Sequence, residues 1–153
     1  MLYSVVGSFP LFFAGGYAIR LQRDLGISKS QFGWAVSCYF ITSTIGSFTI
    51  GGWIDRRGSR VGFLTAAIGG AVASAAIAVS GSLLAFAAAL GLAGLANTAG
   101  QLASNRVLAG IGPERQGTGF GVKQAAVPFG SFCAGTIIGV TGGGIDWRPA
   151  FGA

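Results

Sequence analysis

Apolar residues along this chain gather in long unbroken stretches, not in the single stripe of a soluble amphipathic helix or the alternation of a half-buried strand. The charged residues are clumped, leaving uncharged runs at 1–19, 30–54, 61–105 and 124–145. A hydrocarbon layer about 30 Å thick takes roughly 20 helical residues at about 1.5 Å each. The run 30–54 therefore holds one crossing, and the run 61–105 holds two. The pattern predicts helices over about 2–19, 30–54, 61–79, 83–107 and 117–140. Lipid offers backbone amides no partner, so only helices or closed barrels cross it. A barrel would show alternating segments of about ten residues, and these runs do not alternate.

Polar punctuation fits the same division. Arg20, Arg23 and Asp24 mark the end of the first helix, and Ser28, Lys29 and Ser30 supply capping residues for the second. Asp55 to Arg60 reads as a short charged turn, and Ser80-Gly81-Ser82 as a tight hairpin. Pro113 and Glu114 fall in the next loop, while Gly142-Gly143-Gly144 leads to Asp146, Trp147, Arg148 and the opening of a sixth helix. The amino-terminal stretch has neither a basic n-region nor a cleavage site leading into a soluble sequence, so it reads as a retained span.

Composition sharpens the class. Of 153 residues, 52% are apolar and only 9% charged, against about a quarter charged in soluble domains. With a mean hydropathy of +0.67, disorder and a soluble enzyme core are both excluded. The net charge of +6 fits basic loops beside anionic lipid better than a nucleic-acid partner. With the amino terminus inside, Arg56, Arg57, Arg60, Arg106 and Arg115 fall on inner loops, and Arg20, Arg23, Lys29 and Arg148 on outer ones. This count does not decide orientation, although the tight Asp55–Arg60 cluster favours the inner side. Cys38 and Cys133 lie in apolar runs and read as small hydrophobes. With no His and only four acids, the chain lacks the parts of a hydrolytic or metal site, so no enzyme activity and no cofactor are expected.

Glycine is the second signal: 28 residues, many within the spans. Gly117 and Gly121, and likewise Gly135 and Gly139, stand four apart and share a helix face, where a neighbouring backbone is expected to approach closely.

The segment GGWIDRRGSR at 51–60 carries the most information. Gly51 and Gly52 end a span where only small residues are expected to fit. Asp55 is placed to accept from the free amides of the next helix, and Gly58 to supply a left-handed turn. Arg56, Arg57 and Arg60 then lie near Asp55 and the lipid head groups. This spacing resembles the signature loop between helices two and three of the major facilitator superfamily. RQGTGFGVKQAAVPFGSFCAG, from Arg115 to Gly135, resembles the fifth helix of bacterial members, and GGGIDWRPAF at 142–151 their connection into helix six. The resemblance covers essentially the whole chain. It implies an all-α membrane protein of five transmembrane helices plus the start of a sixth: the partial amino-terminal bundle of a fold built from two six-helix bundles.

By that resemblance, the chain is an amino-terminal fragment of a secondary carrier that moves a small solute by alternating access. Its partners would be the lipid bilayer, the solute and the missing carboxy-terminal half, and its place a bacterial inner (plasma) membrane with the signature loop cytoplasmic. The family's loop aspartate locks against the second bundle, so Asp55 is expected to lack that second-bundle partner here. Members line their cavity with helices one, two, four and five, which nominates Asn97 and Gln101 on helix four and Lys123 and Gln124 on helix five. A cationic Lys123 would favour an organic anion; the competing reading is snorkelling to the head groups. Arg106 raises the same question, with a lipid-facing anchor favoured. Pro128 should kink helix five.

Other classes fare worse. Thr118-Gly119-Phe120-Gly121 has a slight likeness to a potassium filter, but no short pore helix precedes it and Lys123 would oppose cations. No Walker-type loop supports an ATP-driven pump. A non-transporting structural or accessory membrane module is the main rival.

Overall fold

The computed structural model describes residues 10–140 and Phe151. Residues 10–16 are helical, and after one turn residue, Tyr17, the chain continues as α1 (Ala18–Asp24). Then follow α2 (Lys29–Arg57), α3 (Ser59–Ala78), α4 (Leu83–Ala109) and α5 (Pro113–Val140). No strand occurs among the described residues. The expected helix six, the glycine run before it and residues 2–9 of helix one lie outside the described residues.

Helix ends follow local chemistry. Ser28 caps α2 through a reciprocal box: its hydroxyl accepts from the Gln31 amide (3.2 Å), and Gln31 Oε1 accepts from the Ser28 amide (2.8 Å). Ser82 caps α4 by accepting from the Ala85 amide. The first helix runs on to Asp24, so Arg20, Arg23 and Asp24 are helical and do not begin a loop. Helix five begins at Pro113, earlier than the loop assignment of Pro113 and Glu114 allows. A first-turn proline loses no intrahelical bond, and an acid there suits the positive helix end.

The charged turn is tighter than expected. α2 continues through Asp55 to Arg57 and α3 starts at Ser59, so only Gly58, at φ 88°, separates them. Asp55 therefore lies in the last turn of α2 and caps nothing; α3 begins without a side-chain cap.

At the centre lies α4, with α2 along one side and α3 along the other. Small residues set both contacts. A Cβ on Gly94 would run into the Tyr39 carbonyl oxygen, and one on Gly62 would sit 2.8 Å from Ala103 Cβ. Close backbone approach then permits direct bonds between helices: the Thr42 hydroxyl donates to the Gly91 carbonyl (2.7 Å), and the Ser43 hydroxyl to the Gly94 carbonyl (3.0 Å). The Thr98 hydroxyl lies 3.2 Å from the Ser43 carbonyl oxygen. By contrast, Gly117, Gly121, Gly135 and Gly139 have open space around them among the described residues. Among the described residues the small-residue interface is therefore on α2, α3 and α4, and the α5 glycines make no such contact.

Two apolar clusters fill the bundle. Tyr17, Leu21, Tyr39, Ile77, Phe86 and Leu90 belong to the larger, where Phe32 stacks on Phe86 at 6.0 Å. Ile54, Ala66 and Ala99 form a smaller one towards the Gly58 end. Much of the exterior is equally apolar, with Phe48 83%, Leu84 81% and Phe132 69% exposed. Two helices, α3 and α4, are both long and apolar enough to cross a membrane, with mean hydropathies of 1.9 and 1.6. α2 and α5 are longer than α3 but diluted by Ser, Thr, Gly and charge, so among the described residues apolarity alone confirms two of the five expected spans. Many of those hydroxyls are nevertheless bonded within their own helix. Ser37, Thr44, Ser47, Thr49, Ser131 and Thr136 each donate to the carbonyl four residues back.

Candidate functional site

Asp55, Arg106 and Lys123, three of the residues singled out in the sequence, meet at the end of the bundle where α2 and α4 stop and α5 starts. α2 ends in the turn carrying Ile54 and Asp55, and α4 in the turn carrying Asn105 and Arg106. Arg106 Nη1 donates to Asp55 Oδ1 at 2.9 Å and to the Ile54 carbonyl oxygen at 3.2 Å. The Ile54 carbonyl belongs to the negative end of the α2 dipole, so the guanidinium serves as a C-terminal cation for α2 as well as an ion-pair partner. Asp55 is thus engaged within this chain, by Arg106. Arg106, in turn, is held to α2 by two hydrogen bonds. Both side chains are substantially exposed, 41% and 71%, which limits the pair to about 0.2–1 kcal/mol.

One residue earlier on α4, the Asn105 Oδ1 accepts from Lys123 Nζ of α5 at 2.5 Å, and the Gln101 carbonyl oxygen lies 3.5 Å from the same ammonium. Two cations therefore tie three helices together: Arg106 joins α4 to α2, and Lys123 joins α5 to α4. Between α2 and α4 a hollow of about 340 Å³ is lined by Gly51, Ile54, Asp55, Leu102, Asn105 and Arg106, with Ala109 at its edge. Its wall combines apolar side chains with one carboxylate, one guanidinium and one amide.

The remaining expected residues are placed unevenly. Asn97, Gln101 and Asn105 stand four apart along one face of α4. Asn97 Oδ1 is buried and has no hydrogen-bond partner among the described residues. Gln124 is exposed. Gly51 has only Leu102 Cδ1, at 4.0 Å from a Cβ built there, and Gly52 has open space, so neither requires a small residue. Arg57 lies 5.8 Å over the Trp53 ring, a cation–π contact at the same end of the bundle. Arg56 and Arg60 are exposed. α5 runs unbroken through Pro128, which leaves the Gln124 carbonyl without its usual donor.

Asn105 was not among the residues expected from sequence. Its only signal is the spacing from Gln101, which is visible but not specific. The Thr42, Ser43 and Thr98 network was likewise missed, because hydroxyls in an apolar run carry no mark of which helix they will meet.

Over residues 1–153 the sequence matches the family profile described as Major Facilitator Superfamily. The chain belongs to that superfamily. Among curated proteins and among solved structures, none matches it. Major facilitator proteins are integral membrane transporters, and membership accounts for the helical architecture and the signature-like loop at Gly58 together. It also places the chain outside the usual enzyme classes.

Proposed function

We propose that this chain forms the amino-terminal half-bundle of a secondary carrier, which moves a small solute across a bacterial inner membrane by alternating access against a second bundle. All five helices cross the bilayer in this reading, with the signature loop cytoplasmic. α3 and α4 qualify by apolarity alone. The longer α2 and α5 are admitted because their hydroxyls are satisfied in place and their polar faces line a wet cavity. The apolar exterior, unsuited to water over so many neighbouring side chains, supports a lipid surround.

The observation that carries the functional reading is the three-helix junction. A rocking half-bundle needs its helices to move as one body, and Arg106 and Lys123 join α2, α4 and α5 at one end. Arg106 is assigned to this clamp, together with Gly51, Asp55, Arg56, Gly58 and Arg60 of the signature loop, and not to the cavity wall. Lys123, Gln101, Asn97 and Gln124 are assigned to the cavity. Lys123 turns onto Asn105 of α4, which favours an inward-facing cation over snorkelling and an organic anion as solute. The Asn97 oxygen, buried and unpaired, is an acceptor available to a solute donor or to water.

Two measurements test this. Reading the gene beyond Ala153 should reveal six further apolar spans; a stop codon there would favour the accessory-module reading. Proteoliposomes holding the complete protein should accumulate at least one member of an organic-anion panel, and uniform failure across anions with uptake of cations would remove Lys123 from the cavity.

A further inference from the structure

A second hollow lies between α3 and the end of α4. It has a volume of about 610 Å³ and is lined by Ser59, Arg60, Phe63, Leu64 and Ala67 of α3 and by Val107 of α4. The α3 residues recur at helical spacing and so form one continuous strip. Along that strip the chemistry changes in one direction: a hydroxyl and a guanidinium at the end next to Gly58, then only apolar side chains deeper along α3. Leu64 is 54% and Val107 50% exposed, so the apolar part is open to whatever surrounds the bundle.

We infer that this groove is a binding site for one anionic phospholipid, its phosphate on Arg60 and Ser59 and an acyl chain along Phe63, Leu64, Ala67 and Val107. Charge complementarity selects the occupant. Arg56, Arg57 and Arg60 crowd this end, while Asp55, the acid among them, is already engaged by Arg106. The local field is therefore positive and attracts an anionic head group. A soluble anion would use the guanidinium but leave the apolar strip unexplained, and a zwitterionic lipid would use the strip but gain less from the arginines. The hollow is also within the roughly 300–1,000 Å³ typical of small-molecule sites. The inference needs the bundle to lie in a bilayer but is independent of what, if anything, it transports.

The test is native mass spectrometry of the full chain released from nanodiscs containing equal parts of phosphatidylglycerol and phosphatidylcholine. One retained phosphatidylglycerol per chain is expected, undisturbed by excess glycerol phosphate. Arg60→Gln should lower retention about tenfold, as loss of a charge-assisted hydrogen bond does. Ala67→Phe keeps every charge and fills the groove, so retention should disappear. Ile68→Phe, on the neighbouring exposed position of α3, should retain lipid like the parent. Wild-type retention by Ala67→Phe, equal loss in Ile68→Phe, or displacement by glycerol phosphate would overturn the site. Failure of the chain to enter nanodiscs at all would overturn the membrane reading with it.

Discussion

Asp55 and Arg106 are 51 residues apart in sequence and 2.9 Å apart in space, and their contact joins the last turn of α2 to the last turn of α4. Because the same guanidinium nitrogen also donates to the Ile54 carbonyl, removing the carboxylate alone leaves half of the link in place. Asp55→Asn in the complete carrier should therefore reduce uptake without preventing membrane insertion. Arg106→Gln should reduce it further, since both contacts are lost. Proteoliposome uptake beside a membrane-fraction blot checks this; wild-type uptake in Asp55→Asn would remove the clamp from the mechanism. In a double-mutant cycle read by thermal unfolding in detergent, the pair should couple by no more than about 1 kcal/mol.

The division into helices was legible because uncharged runs and capping residues are local features. Ser28, Ser82 and the Gly81 hairpin could be read without knowing what the helices touch. Packing partners could not. The pairs four apart that marked a close contact lie in α5, whereas the glycines of α2 to α4 form no such pair, and only the position of α4 between two neighbours makes Gly94 and Gly62 indispensable while Gly121 meets nothing within contact among the described residues. The Asp55 role was misread for a related reason. A sequence shows an acid before a helix, but not that α2 continues past it and leaves Gly58 as the junction. Lys123 and Gln101 were singled out as chemistry, yet the atom that meets the ammonium belongs to Asn105, one turn further along the same face.

Gly94→Ala should destabilise the bundle by about 1–3 kcal/mol, the usual cost of overpacking, because the new methyl meets the Tyr39 backbone and α2 must move away from α4. Gly121→Ala, placed in open space, should leave thermal stability in detergent unchanged or slightly raised. Equal effects of the two substitutions would contradict the packing described for α4.

Thr98→Val keeps the shape of the side chain and removes its hydroxyl. The loss should be about 0.6 kcal/mol and under about 2, the range for hydrogen bonds between membrane helices, since the Gly94 and Ser43 carbonyls keep other donors. Thermal unfolding in detergent reads it, and a larger drop would mean that the hydroxyl holds more than the α2–α4 contact.

Lys123→Ala should weaken uptake of an anionic solute several-fold in the complete carrier, whereas Asn105→Ala, which only frees the ammonium, should have the smaller effect. Uptake rates over a range of solute concentrations separate the two. Unchanged uptake in Lys123→Ala would return this residue to the snorkelling class.

The central claim, that these helices cross a bilayer and carry the Gly58 junction to the cytoplasmic side, is tested most directly by thiol accessibility. With Cys38→Ala and Cys133→Ala as background, single cysteines are introduced as Arg57→Cys and Gly81→Cys, at opposite ends of α3. A membrane-impermeant maleimide should label the first only in inside-out vesicles and the second only in right-side-out vesicles. Labelling of both from the same side, or recovery of the protein in the soluble fraction, would contradict the account.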